Sequence, residues 1–139
     1  MNKLNTINNV KVIKFQKIDS ESASIDVFPK VNSFFDIKRV FTIKVSDKIN
    51  VKRGFHAHKN CEQIITCPIG KIEFHVFDGN NKKTLTIENN DIGIYVPNFI
   101  WTETIYLTKG TVLICYCSEE YDERSYIRNK EEYISIKTI

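Results

Sequence analysis

Two imidazoles set two residues apart are the most chemically suggestive feature of this chain. His56 and His58 lie in the segment 52–70, KRGFHAHKNCEQIITCPIG, and are two of only three histidines in 139 residues. On an extended strand, residues i and i+2 project to the same face, so this spacing aims both rings at one spot. Imidazole has an unperturbed pKa of about 6.5, so such a pair can take up a proton and return one near neutral pH. Arg53 stands just ahead of the pair. Its planar fork suits a pair of anionic oxygens, and the plainer alternative is that it ties down the loop. Gly54 permits a tight entry into the strand, and Lys59 and Gln63 follow close behind. A pair of surface histidines on an edge strand is the competing reading. The third histidine, His75, alternates with Lys71, Glu73 and Phe77 along one strand face and reads as a surface or wall residue.

The order HxH, then an amide or acid, then glycine is similar to the first motif of cupin barrels. Counting back from Gly70 puts Gln63 at the position where that motif carries glutamate, with Glu62 one residue off and so on the opposite strand face. Pro97 opens the second motif, but Phe99 stands where glycine is usual and Thr102 where the last histidine would be. A catalytic transition metal calls for about four to six donors, with imidazoles and a carboxylate together. Two imidazoles, an amide and a hydroxyl make a poor set, so neither a metal nor another cofactor is expected.

Whatever the pair does, strands must position it. Residues 10–15 alternate apolar and polar; so do 70–77, with Ile72, Phe74 and Val76 on one face, and 83–88. Segments 39–45, 62–67, 92–97, 100–107 and 111–117 are rich in Ile, Val, Thr and Tyr and read as further strands. Asp78-Gly79-Asn80-Asn81 predicts a hairpin turn, since Gly and Asn tolerate positive φ. The expected fold is all-β, a sandwich or barrel formed by one domain over 1–139. Helix is expected only in the acid-rich stretch 118–134, beginning near Ser118.

Twenty basic and 17 acidic side chains give a net charge of +3, with the basic residues spread along the chain, which argues against a nucleic-acid binder. No apolar run is long enough to span a bilayer, so no membrane partner is expected. The opening MNKLNTINNV lacks an apolar h-region, so no export signal is expected. Cys61, Cys67, Cys115 and Cys117 lack CxxC spacing and are expected to be reduced thiols in a cytoplasmic protein, with a zinc site the weaker alternative.

Three longer stretches carry a more specific likeness. RGFHAHKNCEQ, DIGIYVPNFIW and SEEYDERSYIR, in that order and preceded by Arg39-Val40, resemble the nucleotide-sugar 3,4-ketoisomerases, a likeness covering roughly residues 35–135. The resemblance implies a cupin-type β-barrel (jelly roll) with a short C-terminal helical segment, and a homodimer that exchanges strands. It also implies metal-free conversion of a dTDP-linked 4-keto-6-deoxyglucose to a 3-keto sugar. The product would feed 3-amino-3,6-dideoxy sugars into a lipopolysaccharide or S-layer glycan. The catalytic histidines of such enzymes carry over to His56 and His58. Substrate contacts are expected from Arg53, Gln63, Tyr95, Trp101, Glu103 and Tyr121. Trp101 and Tyr95 are equally open to barrel packing, and Tyr121 and Arg128 to dimer contact or pocket closure. The chain departs from the family after Arg39-Val40, where Phe41-Thr42 replaces tyrosine, and at Thr102, where histidine is frequent. Glu103, Tyr95 or Lys44 are candidates to fill the missing role. A 3- or 3,5-epimerase and a non-catalytic ligand-binding cupin are the alternatives.

Overall fold

The alternating segments become strands because each has one face to bury and one to leave in water. A computed structural model of the chain describes residues 2–138. In chain order its elements are β1 (Lys11–Lys14), β2 (Gln16–Asp19), β3 (Ser24–Val27), β4 (Arg39–Lys44), β5 (Val51–His58), β6 (Gln63–Ile69), β7 (Lys71–Phe77), β8 (Lys82–Glu88), β9 (Ile92–Val96), β10 (Trp101–Tyr106), β11 (Val112–Cys117), β12 (Tyr126–Ile127) and α1 (Lys130–Lys137). One five-stranded sheet has the order β1-β9-β6-β11-β4 and the other β12-β5-β10-β7-β8, while β2 and β3 form a separate hairpin. Every pairing is antiparallel. The fold is therefore all-β, a jelly roll of two facing sheets with one short C-terminal helix.

The inner faces meet in an apolar core. Ile72, Phe74 and Val76 of β7 join Ile65 and Cys67 of β6, Ile94 of β9, and Leu113 and Cys115 of β11. Burying each large apolar side chain contributes about 1.5–3 kcal/mol, so this layer supplies the bulk of the stability. The turn after β7 forms as its residues dictate. Asp78 N–H donates to the Asn81 carbonyl, and the Asp78 carboxylate accepts from the backbone N–H groups of Asn80 and Asn81.

A second, smaller cluster lies on the outer side of the β5–β10 sheet. Ala57, Phe99, Trp101 and Ile127 pack beneath Tyr133 of α1. The Tyr133 hydroxyl donates to the carbonyls of Phe77 at 3.0 Å and Phe99 at 2.8 Å, tying the helix to the end of β7 and to the turn before β10.

Two features depart from the sequence reading. Ser118 starts no helix; its hydroxyl instead accepts from the Glu62 N–H, and the helix begins at Asn129, whose side chain accepts from the Glu132 N–H. The β2–β3 hairpin is an additional element, with every residue exposed. The strand expected over 10–15 does form: β1 pairs with β9 of its own chain, Lys11 opposite Tyr95.

Candidate active site

The site grows out of an irregularity in β5. Thr102 of β10 lies opposite His56, but Glu103 lies opposite Gly54, so Phe55 is an extra residue on β5 and forms a β-bulge. Gly54 and Phe55 both take positive φ, +94° and +61°. In a regular strand, Arg53 and His56 would face opposite ways, because three positions separate them. The bulge cancels one step. Arg53 then pairs across from Thr104 and His56 from Thr102, and all four side chains share the inner face. Past the bulge the strand is regular, so His56 and His58 point together, as their spacing predicts. Their ring centroids are 5.0 Å apart, edge to face.

Two cavities flank the pair. One of about 240 Å³ is lined by Arg53, His56, Gln63, Thr102, Thr104 and Arg128, with Phe41, Ile43 and Tyr106 among its apolar and aromatic walls. The other, about 420 Å³, is lined by Arg39, His58, Asn60, Cys61 and Tyr121. Tyr126 lines both. It stands on the two-residue strand β12, opposite His58. The loop after β9 is tied to the end of β5, with the Phe99 N–H donating to the His58 carbonyl at 2.7 Å.

Burial sets the charge state of the pair. Loss of solvent pushes His56 below the ordinary imidazole value; the Arg128 charge adds to the shift, and Glu123 and a backbone contact at Gly54 oppose it. Burial, then the neighbouring His56, pushes His58 down to about 3. Both rings are thus neutral at pH 7, and the low value of His58 makes it a weaker base than an ordinary imidazole. Beneath His58, hydrogen bonds from Cys115 and Cys61, and then from Arg39 and Gln63, hold the Cys117 thiol below the ordinary thiol range. The Arg39 guanidinium is 3.5 Å from its sulfur.

The donors do not suit a metal. The two cupin ligand positions that depart from the motif carry Gln63, whose amide is 3.6 Å from Cys117 Sγ, and Thr102. Among the described residues, no three His, Cys, Asp or Glu side chains gather in a way that would hold a metal ion. The four cysteines are buried and free.

Of the expected contact residues, Arg53 and Gln63 line the His56 cavity and Tyr121 lines the His58 cavity. Tyr95, Trp101 and Glu103 stand elsewhere. Tyr95 points out of the barrel from β9, stacks on Phe34 at 5.0 Å and donates to Glu62. The Trp101 ring packs on Tyr133 and its N–H donates to Glu103, which also meets Lys130 on the outer face of β10. Lys44, a candidate substitute for the missing family groups, is exposed at the end of β4. His75 lies outside as well, bonded to Glu73 and Thr84. The residues that sequence reasoning passed over are Tyr126, Arg39, Glu123 and Thr104. A two-residue strand has no periodicity to betray Tyr126, but Thr104 shares the parity of Thr102 and was readable from it.

Comparison with known proteins follows the same lines. The family described as FdtA: WxcM-like, C-terminal, matches residues 8–138. A TDP-4-oxo-6-deoxy-alpha-D-glucose-3,4-oxoisomerase from Aneurinibacillus thermoaerophilus is 36% identical over 124 residues, 88% of each chain. The sugar 3,4-ketoisomerase QdtA from Thermoanaerobacterium thermosaccharolyticum, solved in complex with TDP, is 34% identical and superposes with a TM-score of 0.85 over 94% of this chain and 95% of that one. A 3,4-ketoisomerase from Helicobacter canadensis is 27% identical, with a TM-score of 0.86 over 94% of this chain and 98% of that one.

Proposed function

The chain belongs to the FdtA, WxcM-like family and is a sugar 3,4-ketoisomerase, and on that premise we propose that it converts TDP-4-keto-6-deoxyglucose to the 3-keto isomer with His56 and His58 as its proton carriers. The observation that carries the assignment of roles is the pair itself: two neutral, adjacent imidazoles between two cavities, with Arg53 on the same face.

The chemistry follows from the substrate. The C4 carbonyl acidifies the C3 proton, and a neutral imidazole removes it to give an enediolate across C3 and C4. A proton moves from the C3 oxygen to the C4 oxygen, and an imidazolium or its partner returns a proton to C4. The C3 hydroxyl carbon becomes the ketone and C4 becomes the alcohol, so atoms and electrons balance without a redox partner. Arg53 or Arg128 offsets charge on the enediolate oxygen or on the diphosphate, and Thr102 and Gln63 offer hydrogen bonds to the sugar. The product has a ketone at C3, the group an amine-transferring enzyme needs for a 3-amino-3,6-dideoxy sugar. We place it upstream of a lipopolysaccharide or S-layer glycan, in the cytoplasm and within one cupin domain.

Incubation with TDP-4-keto-6-deoxyglucose, followed by NMR of the product, tests the reading. The expected product has its carbonyl at C3. A product that keeps its C4 carbonyl and is inverted at C3 is an epimerase product and overturns the assignment. The same assay repeated after dialysis against EDTA should give unchanged turnover, because Gln63 and Thr102 replace two ligands; loss that zinc, iron or manganese restores contradicts the metal-free mechanism.

We also propose a homodimer with exchanged N-terminal strands. The support is the exposed apolar surface of that region: Val12 on β1, Ile18 on β2, and Ile25 and Val27 on β3 face solvent in the single chain. A sheet edge and hairpin left this apolar are normally covered. Light scattering should give about 32 kDa, twice the chain mass of 16.2 kDa. A 16.2 kDa particle at micromolar concentration would exclude the dimer.

A further inference from the structure

Nothing hydrogen-bonds the buried nitrogens of the histidine pair. His56 Nδ1 and His58 Nε2 are both out of solvent and without a partner among the described residues. Imidazoles that move protons are usually oriented by a hydrogen bond on the nitrogen that does not react. Here neither of those two nitrogens has such a partner, and beyond the backbone contact of His56 at Gly54 the rings are held by what packs on them.

Tyr126 is what packs on them. Its ring centroid is 4.3 Å from that of His58 and 5.1 Å from that of His56. The Arg128 guanidinium also sits over the Tyr126 ring, 4.3 Å from its centroid. Arg128 is itself fixed by a two-pronged ion pair with Glu123, at 2.6 and 2.9 Å. Glu123 also accepts from the Tyr121 hydroxyl at 2.7 Å. The result is a chain of contacts from Glu123 through Arg128 and Tyr126 to both imidazoles.

We propose that Tyr126 is a positioning residue for proton transfer: its ring sets the angle of the His56–His58 pair, and the Glu123–Arg128 ion pair clamps that ring in place. The inference rests on the isomerase reading and assigns a further residue to the same site.

The test compares Tyr126→Phe, which keeps the ring, with Tyr126→Leu, which removes it. Displacing reacting groups by about 1 Å can cost about 100-fold in rate. Tyr126→Leu should therefore lose on the order of 100-fold in kcat with KM changed by less than about threefold, and Tyr126→Phe should recover most of that loss. A Leu variant that binds TDP and keeps parent kcat overturns the proposal. So does a Phe variant as slow as the Leu variant, since the hydroxyl would then be the active part. If Tyr126→Leu does not fold, Arg128→Met takes its place: the ring stays but is unclamped, and because Arg128 also lines the His56 cavity the deciding readout is the NMR signals of the histidine pair rather than kcat. An arm without turnover separates this idea from the substrate assignment. The Cε1–H signals of His56 and His58, recorded without ligand, should be sharp in the parent and broadened in the ring-deleted or unclamped variant, with His75 as internal reference. Equally sharp signals overturn the positioning role even if TDP-4-keto-6-deoxyglucose is not the substrate.

Discussion

Replacing His56 with asparagine should lower turnover by about 100- to 10,000-fold, the usual cost of losing a general acid or base. The same change at His58 should also slow the enzyme, with the larger loss at His56, because His56 lines the cavity that holds Arg53, Gln63 and Thr102. Asparagine keeps a polar side chain of similar reach but cannot cycle a proton near neutral pH. Binding of TDP should survive in both variants, since Arg39, Arg53 and Arg128 remain. The pH profile of kcat/KM gives an independent check. Burial lowers the His56 pKa, so the neutral base persists as pH falls through 6.5, its ordinary value. Activity should therefore hold down to a pH below that value and be lost only when the ring protonates. An acidic limb at or above the ordinary value would show that burial does not lower the pKa of the base, and two histidine variants within about threefold of the parent would make the histidines structural.

The site was legible where chemistry and periodicity agree. HAH needs only period-two geometry to bring two imidazoles together, and β5 is regular over exactly those three residues. The core strands were legible because half-buried antiparallel sheets write their burial into the sequence, as Ile72, Phe74 and Val76 do. The β2–β3 hairpin has no such signature, since both of its faces are exposed in the single chain. Tyr95, Trp101 and Glu103 show a different limit. Residue type suggests what a side chain can bind, but parity decides where it points. With Thr102 on the inner face, 101 and 103 fall on the outer face of β10, and the Trp101–Glu103 hydrogen bond forms there. Parity counting fails in turn at Gly54, because a bulge adds a residue without changing the pattern of residue types. Arg53 reaches the histidines only through that bulge.

Gly54→Ala tests the bulge directly, with Gly110→Ala as its control. Both glycines have positive φ, +94° and +69°, so both substitutions cost about 1–2 kcal/mol of backbone strain. Their surroundings differ. A Cβ on Gly110 would meet nothing within 4 Å, whereas a Cβ on Gly54 would lie 3.1 Å from the Thr102 carbonyl oxygen and 3.4 Å from Glu103 Cα, both of them backbone atoms of β10. The Gly54 variant must therefore push β5 away from β10 or give up the bulge. Without the bulge, Arg53 would return to the face opposite His56, and the pairing at Thr102 and Thr104 would shift by one residue. We expect Gly110→Ala to lower the denaturation midpoint modestly with kcat/KM near that of the parent. Gly54→Ala should lose at least about tenfold in kcat/KM beyond its stability cost, as expected when a charged group leaves the reacting face. Circular dichroism melts and steady-state kinetics on the two variants decide the matter. If Gly54→Ala is as active as Gly110→Ala, Arg53 does not need the bulge to do its work, and its place beside the histidines is incidental to catalysis.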